Sequence, residues 1–118
     1  VLVEVVEIES TSPCAVRFTC AAGSGSAGWR GIVPNIGEHH VEMSSELPLQ
    51  HVGDGQISDG SRSVCHLRGV VEAVDKDGVV VLRLGEGLLA VEVHGLRLSV
   101  GSAVELVGVA IDLWPVNL

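Results

Sequence analysis

Apolar residues in this chain recur at every second position, and no stretch carries the ~3.6-residue period of an amphipathic helix. From Cys14 to Cys20, Cys14, Val16, Phe18 and Cys20 fall on one side, with Arg17 and Thr19 on the other. Further on, Leu89, Val91 and Val93 face one way, and Glu92 and His94 the other. A period of two is that of a strand with one buried face. Valine dominates the apolar set. Phe18, Trp29 and Trp114 are the only aromatics, and there is no tyrosine. Stiff β-branched side chains sit well on a pleated surface. The chain is therefore expected to be all-β, with little or no α-helix. Its 118 residues suit a single compact domain, 1–118, and a hydrophobic content of 47% argues against global disorder.

Residues 1–9 read as a strand with a bulge near Val5 and Val6, because the apolar positions change phase there. Residues 10–13 form a turn and 14–20 the next strand. The small, glycine-rich segment 21–28 reads as a flexible loop. Residues 29–33 suggest a short strand ended by Pro34, with a turn over 35–37. Residues 39–45 read as a strand with Val41 and Met43 inward. Segment 46–63 holds a proline, several serines and the pairs Asp54-Gly55 and Asp59-Gly60, and reads as a linker or long excursion. It would divide the domain into 1–45 and 64–118.

In the second half, 64–75 reads as a long strand, Lys76-Asp77-Gly78 as a tight turn and 79–84 as the returning strand. Gly85-Glu86-Gly87 leads into 88–94, Leu96-Arg97-Leu98 is a short extended piece, and 103–113 is apolar on both faces in places. Val79 and Val81 lie opposite Val80, Leu82 and Leu84, so both sides of that strand want cover, from the first half or from another chain.

Three stretches carry a resemblance: Leu67-Arg68-Gly69-Val70-Val71, the hairpin through Asp77-Gly78 into Val79-Val80-Val81-Leu82, and the run from Leu98 to Leu106. Together they resemble the oligonucleotide- and oligosaccharide-binding (OB) barrel family, over under half the chain. The resemblance implies a small β-barrel whose long first strand bends at a glycine, with a Gly-x-x-Val element opening a late strand. The helix that the family places between its third and fourth strands is missing here or shrunk to a turn. The expected architecture is one small β-barrel, or two barrel-like halves folded as one unit, with the C-terminal half OB-like. The family also implies single-stranded nucleic-acid binding.

Charge points elsewhere. The formal net charge is -8, and the cations Arg17, Arg30, Arg62, Arg68, Lys76, Arg83 and Arg97 are dispersed. Nucleic-acid binders need clustered cations to release counterions, and single-strand binders add aromatic stacking platforms. The second half offers Trp114 alone. An acidic field repels polyanions and anionic membranes and tolerates basic partners. No apolar run nears the ~20 residues that cross a bilayer, and no leader-like segment opens the chain. The expected partner is thus a protein or a second copy, not nucleic acid or membrane. Cys14 and Cys20 would lie roughly 20 Å apart on an extended strand, too far for a disulfide. With Cys65 they read as free thiols in a reducing cytoplasm.

The chemical motifs are weak. Gly23-Ser24-Gly25-Ser26-Ala27-Gly28 matches the dinucleotide fingerprint literally, but Trp29-Arg30-Gly31-Ile32-Val33-Pro34 cannot be the helix that fingerprint requires, so no cofactor is expected. Adjacent His39 and His40 point to opposite faces of a strand. His40 and Glu42 share a face and, with His51, form the candidate metal set, against the plainer reading of surface histidines. Cys65-His66 has the same adjacency problem. Asp54 has Cys65 where a calcium loop needs its closing glutamate. Cys65 falls inward with Leu67, Val71 and Ala73, as an inert thiol would. No serine sits in a G-x-S-x-G elbow, and Glu72 and Glu92 read as solvating charges. Trp29, Arg30 and Trp114 are the candidate interaction residues, since Trp and Arg are enriched at binding hot spots. The leading expectation is a non-catalytic interaction or assembly module with an acidic surface. The alternatives are an OB-type single-strand binder, or a metal protein or enzyme using histidines, with His66 and His94 as further candidates.

Overall fold

A computed structural model describes residues 1–45, 48–51, 55–61, 63–94 and 99–116. Among these there are eleven strands and no helix: β1 (Leu2–Thr11), β2 (Cys14–Cys20), β3 (Gly23–Trp29), β4 (Gly37–Ser44), β5 (Leu49–His51), β6 (Gln56–Ser58), β7 (Cys65–Val74), β8 (Val79–Leu84), β9 (Gly87–His94), β10 (Ala103–Val107) and β11 (Ile111–Pro115).

The pairings close two rings. β1, β2, β3, β11 and β4 form one, in which β11 runs parallel to β3 and the other contacts are antiparallel. β7, β8, β9, β5, β6 and β10 form a six-strand barrel, with β5 parallel to β9 and β6 parallel to β10. β3 joins the two: its start pairs with β7 and its end with β11.

Each ring is built on the same plan. An antiparallel meander (β1-β2-β3, then β7-β8-β9) is followed by a strand that pairs back onto the first of the three (β4 on β1, β10 on β7). The next strand crosses to the other ring, so β5 lies beside β9 and β11 beside β3. Equivalences run to single residues. The register of β1 on β2 slips after Val5, and that of β7 on β8 after Val71. The cross-strand ion pairs Glu7–Arg17 and Glu72–Arg83 brace the two bulges on the outside. Gly23 pairs with Cys20, and Gly87 with Leu84, at the matching hairpins.

Alternation fills both interiors. Val3, Val5, Val16, Phe18, Trp29, Val41 and Leu113 are buried in the first ring, and Leu67, Leu82, Leu84, Leu89 and Leu106 in the second. Each such side chain contributes roughly 1.5–3 kcal/mol by leaving water.

Several expectations are corrected. Segment 21–28 is not a flexible loop, because Gly23–Trp29 is β3. Its residues are small for close approach: a Cβ on Gly25 would stand 2.8 Å from the Val64 carbonyl oxygen. The strand expected over 29–33 is absent, because β3 already ends at Trp29. Segment 46–63 contributes β5 and β6, with Leu49 and Ile57 fully buried. The apolar run 103–113 is two strands, β10 and β11, parted at Gly108 with a φ of 63°. Ala73 turns outward because the β7 bulge changes its phase. Residues 96–98 and Asp54 lie outside the described residues. On β8, Val80, Leu82 and Leu84 face the core, while Val79 on the outer face stays partly exposed.

Candidate interaction face

The outer side of the first ring gathers most of the side chains singled out by the sequence. β11 pairs with β4 so that Trp114 lies opposite Glu42, and Asp112 opposite Ser44. On its other edge Asp112 lies beside Gly28 of β3. A Cβ on Gly28 would run into the Asp112 carboxylate, so the glycine leaves room for that carboxylate. Arg30 follows β3 directly and its amide donates to the Leu113 carbonyl at 2.9 Å.

Trp114 is 45% exposed but not loose. Its indole Nε1 donates to Ser44 Oγ at 2.8 Å, and the Arg30 guanidinium carbon stands 5.8 Å from the ring centre. Arg30 Nη2 in turn donates to Asp112 Oδ2 at 3.0 Å. An exposed cation–π contact contributes about 0.5–1 kcal/mol, and an exposed ion pair about as little, so the cluster fixes a ring orientation more than it stabilises the fold.

Trp29 does not join this face. It is buried, its Nε1 donates to the Ile32 carbonyl at 2.9 Å, and its ring meets His39 edge-on at 5.2 Å. Tryptophan here closes one end of the first ring. What the sequence reading missed lies next to it. Ile32, Val33 and Ile36 are exposed in the connection before β4, Ile32 by 92%. This connection adjoins the end of β11, where a Cβ on Gly31 would be 2.8 Å from Pro115 Cγ. The signal was three aliphatics around Pro34 in a stretch with no strand alternation.

His40 and Glu42 share the outward face of β4, while His39 turns inward. The His51 side chain lies outside the described residues. Among the described residues, no three His, Cys, Asp or Glu side chains gather as a metal site would require. Glu72 receives two hydrogen bonds from Arg83, at 3.0 and 2.8 Å, and these hold its carboxyl below the usual value. Glu92 sits 3.4 Å from His94. Neither carboxylate is poised against the other.

Cys65 is buried while His66 points outward to Glu105 at 3.5 Å, so the two do not form a reactive pair. Burial pushes the Cys65 thiol up to about 11. With a disulfide-exchange reagent at pH ~8, Cys14 and Cys20 are expected to react in the folded protein and Cys65 only after denaturant is added. Three fast thiols would contradict this placement.

No protein-family model, no curated protein and no solved structure matches the chain.

Proposed function

We propose that the chain is a non-catalytic interaction module that binds a basic protein partner, or a second copy, through the face around Trp114. The observation that carries this reading is a half-exposed tryptophan held in one orientation by Ser44 and Arg30. A pre-oriented aromatic binds with less ordering cost, and Trp and Arg are both enriched at binding hot spots. Exposed Ile32, Val33 and Ile36 supply apolar area nearby, and a net charge of -8 favours a cationic partner. A reducing cytoplasm suits three free cysteines.

The test is affinity capture with the tagged chain, with light scattering for self-association, comparing the parent with Trp114→Ala. A retained partner or dimer should weaken about 30-fold in the variant, since truncating a hot spot costs about 2 kcal/mol. A strict monomer that retains nothing, or equal retention by both proteins, would sink the reading.

A second reading is that the six-strand barrel is OB-like. One observation favours it: β7 pairs with β10 over its first half and with β8 over its second, changing partners around Gly69. A Cβ there would stand 2.6 Å from Leu84 Cδ2 and 2.9 Å from the Arg83 carbonyl oxygen. An OB barrel has five strands and this one has six. A labelled single-stranded oligonucleotide at low salt separates the readings: binding that falls steeply with salt would replace the protein partner by nucleic acid.

A further inference from the structure

Across β2, β3, β11 and β4, one outward row of paired residues is short in side chain. Ala15 lies opposite Gly28, Gly28 beside Asp112, and Asp112 opposite Ser44. The row leaves a recess of about 280 Å³ on the outside of the first ring. Pro13, Cys14, Ala15 and Gly28 line it, with Arg30 and Asp112 on the side towards Trp114. The second ring fills the same place. Counted from the matching glycines Gly23 and Gly87, Gly28 corresponds to Glu92, and its partner Ala15 to Val79.

Asp112 turns one oxygen into this recess. A Cβ on Gly28 would run into Oδ1, so that oxygen overhangs the glycine. Arg30 Nη2 donates to Oδ2 at 3.0 Å, and among the described residues no donor reaches Oδ1. The Asp112 side chain is only 18% exposed. A carboxylate accepts on both oxygens, and one largely withdrawn from water gains most from a charged donor.

We propose that this recess takes a lysine side chain of the partner protein, an assignment that rests on the interaction-module reading. The ammonium donates to Asp112 Oδ1, and the methylene stem lies over Ala15 and Gly28. A net charge of -8 favours a cation at this face. The free oxygen decides which cation. A guanidinium grips a carboxylate through both oxygens, and Arg30 already holds Oδ2. An ammonium is a compact point charge that one oxygen satisfies. Arg30 thus keeps the carboxylate in place and turns the site from arginine towards lysine. The cation would enter beside Trp114, since Arg30 stands between that ring and Asp112.

Cys14 lines the recess and Cys20, at the other end of β2, does not, so alkylation of the two thiols reads occupancy against an internal control. The probe is Nα-acetyl-lysine methylamide at ~50 mM and constant ionic strength, added to the full chain with iodoacetamide. Alkylation of Cys14 should slow ~3-fold, as a Kd of ~25 mM gives for one charge-assisted contact, and that of Cys20 should not change. The norleucine analogue, alike in shape without the charge, and the arginine analogue should both protect less. Asp112→Asn removes the charge and Ala15→Leu fills the recess, and each should abolish the protection. An unchanged rate at Cys14, equal slowing at Cys20, equal protection by either analogue, or protection that survives either variant would overturn the lysine site. If the recess fails while Trp114→Ala still weakens capture, the recess alone is refuted. If Trp114→Ala has no effect on capture and the lysine derivative still protects Cys14, the face around Trp114 is refuted instead.

Discussion

Gly23→Ala should lower stability by at least ~3 kcal/mol in urea unfolding, whereas Gly87→Ala, at the matching hairpin of the other ring, should cost about 1 kcal/mol. Gly23 has a φ of 146°, which L residues rarely adopt. An added Cβ would overlap the His66 carbonyl oxygen and stand 3.1 Å and 3.2 Å from His66 C and Leu67 Cα. All three are backbone atoms of β7, at the seam where the first ring joins the second. They can move only if β3 and β7 part. Gly87 has no such φ, and its Cβ would meet side-chain atoms of Val1 rather than backbone, and a side chain can rotate away. Equal losses for the two variants would show that the seam yields as easily as a single side chain.

That seam explains what was legible in the sequence and what was not. Alternation reports which face of a strand is buried, so β2, β8 and β9 could be read directly from Val16 and Phe18, Leu82 and Leu84, and Leu89 and Val91. The bulge in β1 could be read because a phase change is itself an alternation signal. β3 was invisible for the opposite reason. Its outward positions are serines and a glycine, and two of its inward ones, Gly23 and Gly25, are emptied by the backbone of β7. The usual meaning of such a segment is a loop, and only the fold shows that it is a close contact. β5 and β6 were hidden by length, since three residues each cannot establish a period. The exchange of β5 and β11 between rings is a long-range event that no local pattern encodes. At the candidate face, the pairing of Arg30 with Trp114 joins residues 84 positions apart in the chain. Residue type suggested both, and register alone brought them together.

A comparable loss is expected at Asp59, whose carboxylate fastens the end of β6 to the point where the chain leaves β10 for β11. Oδ1 accepts the Ser61 amide at 2.7 Å and Oδ2 accepts the Ala110 amide at 2.7 Å. Around it, Ser58 and Ser61 hydroxyls donate to the Gly108 carbonyl at 3.3 and 3.1 Å. Burial pushes the carboxyl upward, but the hydrogen bonds from Ser61 and Ala110 outweigh it and hold Asp59 below its ordinary value. Hydrogen bonds to a charged group contribute about 1.5–3 kcal/mol each, less where water competes, so Asp59→Ala should cost about 3 kcal/mol near neutral pH. Asp59→Asn keeps the shape but presents an amide donor to one of the two N–H groups, and about 2 kcal/mol should be lost. The folded pKa lies below the unfolded one, so the stabilisation is complete above the unfolded value of ~3.9 and disappears as pH falls through the folded value. The gap between parent and Asn variant should therefore be widest at pH ~7 and narrow progressively as pH falls below the unfolded value of ~3.9, where the unfolded chain takes up the proton first. A gap that stays constant over that range would mean that side-chain shape, not charge, holds the crossing to β11 in place.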